Sequence, residues 1–179
     1  MHRAPLLGKL ARYAPDAGHE AEMADRMRRF VLEHADCFER SLLSGHITAS
    51  AWIVNPGRTH ALLTLHRKLD KWLQPGGHAD GDPDVLRVAL REAREESNLT
   101  EIRVVSGDIF DVDIHTIPAR GAVPEHLHYD VRFLFEASPL EPLIVSGESH
   151  ALAWVEMERI EQLNPEPSLT RMAAKTRRR

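Results

Sequence analysis

Three carboxylates crowd the run Arg91-Glu92-Ala93-Arg94-Glu95-Glu96. On a helix, Glu92 lies at i,i+3 from Glu95 and i,i+4 from Glu96, so the three share one face. Like charges at that spacing repel by about 0.2–0.5 kcal/mol per pair. A divalent cation reverses the sign, because Mg²⁺ is held by carboxylates, waters and substrate phosphates. The plainer reading is a solvated helix face, with Arg91 paired to Glu95 and Arg87 to Glu92. The residues upstream favour the cation. Gly76 and Gly77 follow the extended stretch WLQP and lead through an acidic loop into the helix. A glycine turn lets backbone approach a ligand closely and leaves carbonyls to coordinate a metal.

The chain holds 11 histidines. His126, His128 and Asp130 alternate, so on a strand they point to one side. Histidine ligation would favour Zn²⁺ or a similar transition metal. Contact with a substrate phosphate or base is the other functional reading, and ordinary hydrogen bonding on a strand face is the plain one. His78 directly follows Gly77. Arg67 and Lys68 precede the glycine turn and are candidate phosphate contacts or surface charges. His60 and His66 read as strand-end surface residues. Trp52 and Trp72 read as core, and Cys37 as inert packing on the apolar side of a helix.

The elements around these residues follow from periodicity. From Glu20 to Phe38, apolar Met23, Met27, Phe30, Val31 and Phe38 recur at helical spacing. They can cover the domain itself or a second copy in a homodimer. Ser44-Gly45 ends this helical arm. Ile47–Val54 and His60–His66 read as strands joined at Asn55-Pro56-Gly57 in a hairpin. Asp82 as cap, Pro83 at the first helical position, and the stripe Leu86, Ala89, Leu90, Ala93 predict the internal helix. Asn98 can adopt the left-handed conformation that ends it. Residues 102–117 are strand-rich, His128–Glu136 alternates, and Ala151–Val155 is a last strand. Met157–Leu163 reads as a short helix, with a terminal turn after Pro165 and Pro167 and a solvated basic tail from Lys175 to Arg179. The order predicts an α+β domain with helices packed on a mixed sheet.

The spacing from Gly77 to Leu99 resembles the Nudix box, G-x5-E-x7-R-E-U-x-E-E-x-G-U, where U is a bulky aliphatic residue. Gly77, Arg91, Glu92, Glu95, Glu96 and Leu99 fall at their offsets. Asn98 replaces the last glycine and Ala93 the first U. Pro83 stands where the family has glutamate, a departure that bears on loop geometry more than on metal ligands. The strands before the box, the WLQPGGH stretch, and an aromatic strand followed by a Trp-containing one extend the resemblance over roughly 47–163. HRKLDKWLQPGGH and HLHYDVRFLF are similar to a bacterial Nudix subgroup.

The resemblance implies a Nudix-type α/β/α sandwich with a mixed sheet and an N-terminal helical extension. It implies Mg²⁺, or Mn²⁺, held by Glu92, Glu95, Glu96 and the Gly77 carbonyl. It implies hydrolysis of a phosphoanhydride in a nucleoside diphosphate linked to another moiety, by water attack on phosphorus. Arg91 would orient the carboxylates. The base would be a box glutamate, Glu95, or a later acid. Glu148, six residues before Trp154, matches a family metal-binding acid. His78, Arg67, His126 and His128 are the candidate substrate contacts.

Composition bounds the alternatives. The 179 residues, 42% hydrophobic and 28% charged, suit one globular domain. The boundaries expected are an arm at 1–45, a hydrolase domain at 46–165 and a terminal turn and tail at 166–179. The net charge of −4 argues against a nucleic-acid partner. No run is long enough to span a membrane, the N-terminus lacks a secretory apolar core, and a single cysteine suits a reducing, cytoplasmic setting. Two other functions compete. One is a non-catalytic Nudix-fold module that binds a nucleotide or a partner, which Pro83 supports and the intact glutamates oppose. The other is a transition-metal hydrolase built on His126, His128 and Asp130.

Overall fold

The computed structural model describes residues 2–16, 18–147 and 149–178. The chain divides into two compact units, one of residues 1–49, 77–88 and 107–133, the other of 50–76, 89–106 and 134–179.

In the first unit, α1 (Ala4–Arg12) and α2 (His19–Glu33) precede the start of β1 (Gly45–Val54). The helical stripe expected over Glu20–Phe38 is α2 only as far as Glu33: Met23, Met27, Phe30 and Val31 are buried on it, while Cys37 and Phe38, also buried, lie in the turn that follows. They pack inside their own unit, against β6 (Asp111–Ile117), and Phe30 stacks on Tyr129 with ring centroids 3.9 Å apart. Each such side chain contributes about 1.5–3 kcal/mol on leaving water. Arg3 donates to the Val31 and Leu32 carbonyls at 2.7 and 2.9 Å, which satisfies the C-terminal end of α2.

β7 (His126–Ala137) pairs antiparallel with β6, in a register that sets His115 opposite His128, Asp113 opposite Asp130 and Asp111 opposite Arg132. β1 runs parallel to β7. The Leu127 amide donates to the Ser44 carbonyl at 3.3 Å, and Thr48 Oγ1 donates to Asp130 at 3.0 Å, so the contacts advance in one direction along both strands. Gly45 is required where the strands converge. Its φ is +146°, and a Cβ there would lie 2.5 Å from the Leu127 carbonyl oxygen. The parallel and antiparallel pairings together make the mixed sheet that the sequence predicts.

In the second unit, β1 continues and turns at Asn55 into β2 (His60–His66). Val54 pairs with Ala61, and Asn55 Oδ1 accepts the amides of Thr59 and His60, both at 2.9 Å. This is the predicted hairpin. β2 also pairs antiparallel with β3 (Lys71–Leu73) and with β8 (Ser149–Glu156). β5 (Ile102–Val104) pairs with the end of β7.

Two expectations are corrected. The glycine pair is more than a turn: β4 (Gly76–His78) pairs with β1. The expected terminal turn is a helix, α5 (Pro167–Arg177), which follows the short α4 (Ile160–Leu163); of the tail expected to be solvated, Lys175 is buried, Arg177 and Arg178 are exposed, and Arg179 falls outside the described residues. Pro167 starts α5, because proline's fixed φ suits a first helical turn. Leu169, Met172 and Ala173 are buried, Lys175 is 8% exposed, and Thr176 Oγ1 accepts the Trp52 indole N–H at 2.8 Å.

Cys37 is fully buried, and burial raises its thiol pKa to about 11. The thiolate is the reactive form. At pH 8 iodoacetamide should therefore alkylate the folded protein at least about 100-fold more slowly than the guanidinium-unfolded chain. Equal rates would mean that Cys37 is accessible.

Candidate active site

The acidic run lies on α3 (Val85–Ser97). Asn98 ends the helix with φ +58° and donates its amide to the Arg94 carbonyl at 2.8 Å, the left-handed cap that its side chain tolerates. Helix periodicity buries Ala89, Ala93 and Glu96, and Glu95 stands exposed at the outer edge of the same acidic face.

Glu96 is 7% exposed, and its Oε1 accepts the Gly76 amide at 2.8 Å. That bond ties the acid to the start of the glycine pair. Gly76 must be glycine, because a Cβ would overlap Ser50 Oγ and lie 2.8 Å from Ser50 Cα. Arg91 Nη2 donates to Glu92 Oε1 at 2.7 Å, and Arg91 Nε lies 3.9 Å from Glu95 Oε1. The guanidinium thus fixes Glu92 and leaves Glu95, 62% exposed at its side chain, the least constrained of the three acids. Hard oxygen donors on one helix face, two of them held by protein donors, fit a hard divalent cation. The donor set suits Mg²⁺ or Mn²⁺.

The loop before α3 differs from its sequence expectation. The helix starts at Val85, and Asp84, not Asp82, is the cap: its Oδ1 accepts the Arg87 amide at 3.2 Å. Asp82 accepts the Asp84 amide at 2.9 Å and receives both Nε and Nη2 of Arg87, at 3.0 and 2.7 Å. Asp82 therefore braces the loop around Pro83, where the box pattern has a glutamate.

The first unit holds a second polar site. The parallel register that joins Thr48 to Asp130 also sets His46 beside His128, with ring centroids 4.8 Å apart. With β6 added, side chains form rows across three strands. One row is His46, His128 and His115; the next is Thr48, Asp130 and Asp113. His78, on β4, closes on the histidine row, with centroids 5.1 Å from His46 and 4.9 Å from His128. Burial is the largest effect depressing all three titrations, taking His78 to about 4 and His128 to about 2. For His46 and His128 neighbouring imidazoles add to it, and for His78 Arg40 does so first. The cluster is thus neutral near pH 7, the form in which imidazole binds metals.

The acid row is occupied from within. Arg132 is 3% exposed and its Nε, Nη1 and Nη2 donate to Asp130, Asp111 and Asp113 at 2.7, 3.2 and 3.2 Å. Asp130 is therefore bound to Arg132 and Thr48, which weakens its reading as a ligand beside His126 and His128. His126 Nδ1 donates to the Pro124 carbonyl at 2.9 Å, and its ring lies 5.3 Å from His128. Arg67 is exposed in the turn after β2. Gly77 lies within β4. Glu148 falls outside the described residues. His46 lies one residue before the strand expected at Ile47–Val54, and β1 includes it. The alternation His46, Thr48, Ser50 against Ile47, Ala49, Ala51 was the available signal.

A search of curated proteins returned no match. Solved structures do match. The C. elegans Ap4A hydrolase aligns with a TM-score of 0.60 at 20% identity, over 74% of this chain and 95% of that one. The MutT protein of Methanosarcina mazei aligns at 0.55 and 22%, over 76% and 96%. A NUDIX-family hydrolase from Clostridium perfringens aligns at 0.50 and 26%, over 74% and 96%. These likenesses place the fold. The sequence model of the NUDIX domain matches residues 45–175, most of the chain. With its box glutamates in place on α3, the chain belongs to the Nudix family and is one of its hydrolases.

Proposed function

We propose that the protein is a Mg²⁺- or Mn²⁺-dependent pyrophosphohydrolase that cleaves a phosphoanhydride in a small nucleoside diphosphate linked to another moiety. The observation that carries this reading is the arrangement on α3: Glu96 tied to the Gly76 amide, Glu92 held by Arg91, and Glu95 beside them. Glu92, Glu95 and Glu96 would hold the cation. Once bound, the cation neutralises diphosphate charge and acidifies an attacking water. Arg91 keeps Glu92 in its rotamer by a charge-assisted bond. Glu95, the least constrained box acid, accepts the water's proton, and Glu148 is the rival base. His78, His126, His128 and Arg67 are the proposed substrate contacts. The net charge of −4 fits a small-molecule substrate better than a nucleic acid. No described helix is long and apolar enough to cross a membrane, and the buried lone thiol suits a reducing, cytoplasmic setting.

The test is a panel of dinucleoside polyphosphates, nucleotide sugars, ADP-ribose and nucleoside triphosphates, each with and without Mg²⁺. Phosphate-ester products that form only with the cation support the reading and rank the substrates. Nucleotide binding without turnover on any compound would favour a binding module.

A further inference from the structure

We infer that His46, His78 and His128 form a second metal site, specific for Zn²⁺ or a similar nitrogen-preferring transition metal and separate from the carboxylates of α3. One nitrogen of each ring lies within 4.8 Å of the others. Ligand nitrogens around a tetrahedral Zn²⁺ sit roughly 3.3 Å apart, so small χ rotations bring the rings onto one ion.

Independent observations point to a ligand. His46 is 97% buried by its 3% exposure, and neither ring nitrogen makes a hydrogen bond. The Leu42 backbone acts on the ring as an acceptor, raising its pKa against the burial that lowers it, but supplies no partner in full hydrogen-bond geometry. His128 Nε2 is also buried without a partner. An unpaired buried polar atom costs about 1–3 kcal/mol, and buried polar groups are normally satisfied. Two such residues on adjacent strands, with their rings in contact, are satisfied together by one cation. Strand register makes this cheap. β1 and β7 hold His46 and His128 in rigid neighbouring positions, and β4 supplies His78.

The chemistry selects the metal. Three neutral imidazoles offer no carboxylate, so Mg²⁺ and Ca²⁺ are poorly served, while Zn²⁺ and its neighbours bind imidazole well. Three protein ligands leave one tetrahedral position for water or a phosphate oxygen. The site is independent of whether α3 carries the catalytic cation.

The test uses the full chain, stripped with a chelator and titrated with Co²⁺ alone, then with Zn²⁺. The expected result is one Co²⁺ per chain with the intense visible absorption of a four-coordinate site. Zn²⁺ should displace it, and millimolar Mg²⁺ should not. H46Q and H128Q should each weaken binding at least about 100-fold, while E92Q and E96Q leave it unchanged. Should either buried variant fail to fold by thermal melting, H78Q, at a part-exposed position, decides the matter. The proposal is overturned by no binding, by a weak six-coordinate spectrum that Mg²⁺ abolishes, or by histidine variants that bind like the wild type.

Discussion

Glu96→Gln should lower Mg²⁺-dependent turnover by about 10³-fold with little change in stability. The magnitude follows from charge. One unit charge about 4 Å from another is worth about 4 kcal/mol at an effective dielectric near 20. Each 1.36 kcal/mol of lost transition-state stabilisation costs tenfold in rate, which gives about 10³. Stability should hold because the amide oxygen of glutamine can still accept the Gly76 N–H that Glu96 accepts at 2.8 Å. The measurement is kcat at saturating Mg²⁺, with a thermal melt beside it. Full activity in the variant would mean that the cation is held elsewhere. Lost activity with an early melt would point to the Glu96–Gly76 tie as structural, and E92Q would then decide the cation reading. Glu95→Gln and Glu148→Gln, assayed together, separate the rival bases. The variant that flattens the acid limb of the pH–rate profile identifies the group that takes the proton.

Local chemistry was legible in the sequence where one residue decides one feature. Asn98 predicted the left-handed helix end, and its φ is +58°. Asn55-Pro56-Gly57 predicted the hairpin, and Asn55 is the residue that fastens it. The spaced glutamates predicted a helix with one acidic face. The reading failed where tertiary pairing outweighs local signal. β4 has three residues, two of them glycine, and no propensity marks it; it exists because β1 offers an edge. The cap moved from Asp82 to Asp84 because Arg87 draws Asp82 into the loop. The basic C-terminus looked solvated, yet buried Leu169 and Met172 carry it into a helix. The histidine site was half visible. His126 and His128 could be seen alternating, but their partner His46 is 82 residues from His128, and only the parallel register of β1 and β7 joins them.

The same register creates the structural weak point of the first unit. Arg132→Met should destabilise the protein by about 3–5 kcal/mol, the cost of breaking a buried ion cluster by removing one partner. Arg132 lies within salt-bridge distance of Asp130, Asp111 and Asp113 at once, and two of those acids are almost wholly buried. Without it, the buried carboxylates lose a counter-charge that the neutral Thr48 hydroxyl, a donor to Asp130, does not replace. Against a typical total of about 5–15 kcal/mol, the loss is a third or more. Arg132→Lys should recover only part, because one ammonium cannot reach three carboxylates with the fork that guanidinium offers. The measurement is urea unfolding of wild type, R132M, R132K and the triple variant R132M/D111N/D130N. The triple variant should regain much of the stability, since removing the charges removes the penalty that R132M exposes. If R132M unfolds within about 1 kcal/mol of wild type, the cluster is solvated in solution and the row of acids beside the histidines is not a buried barrier. If R132M falls as expected while the histidine site still binds Co²⁺, the two rows act independently: one holds the sheet together, and the other is available for a metal.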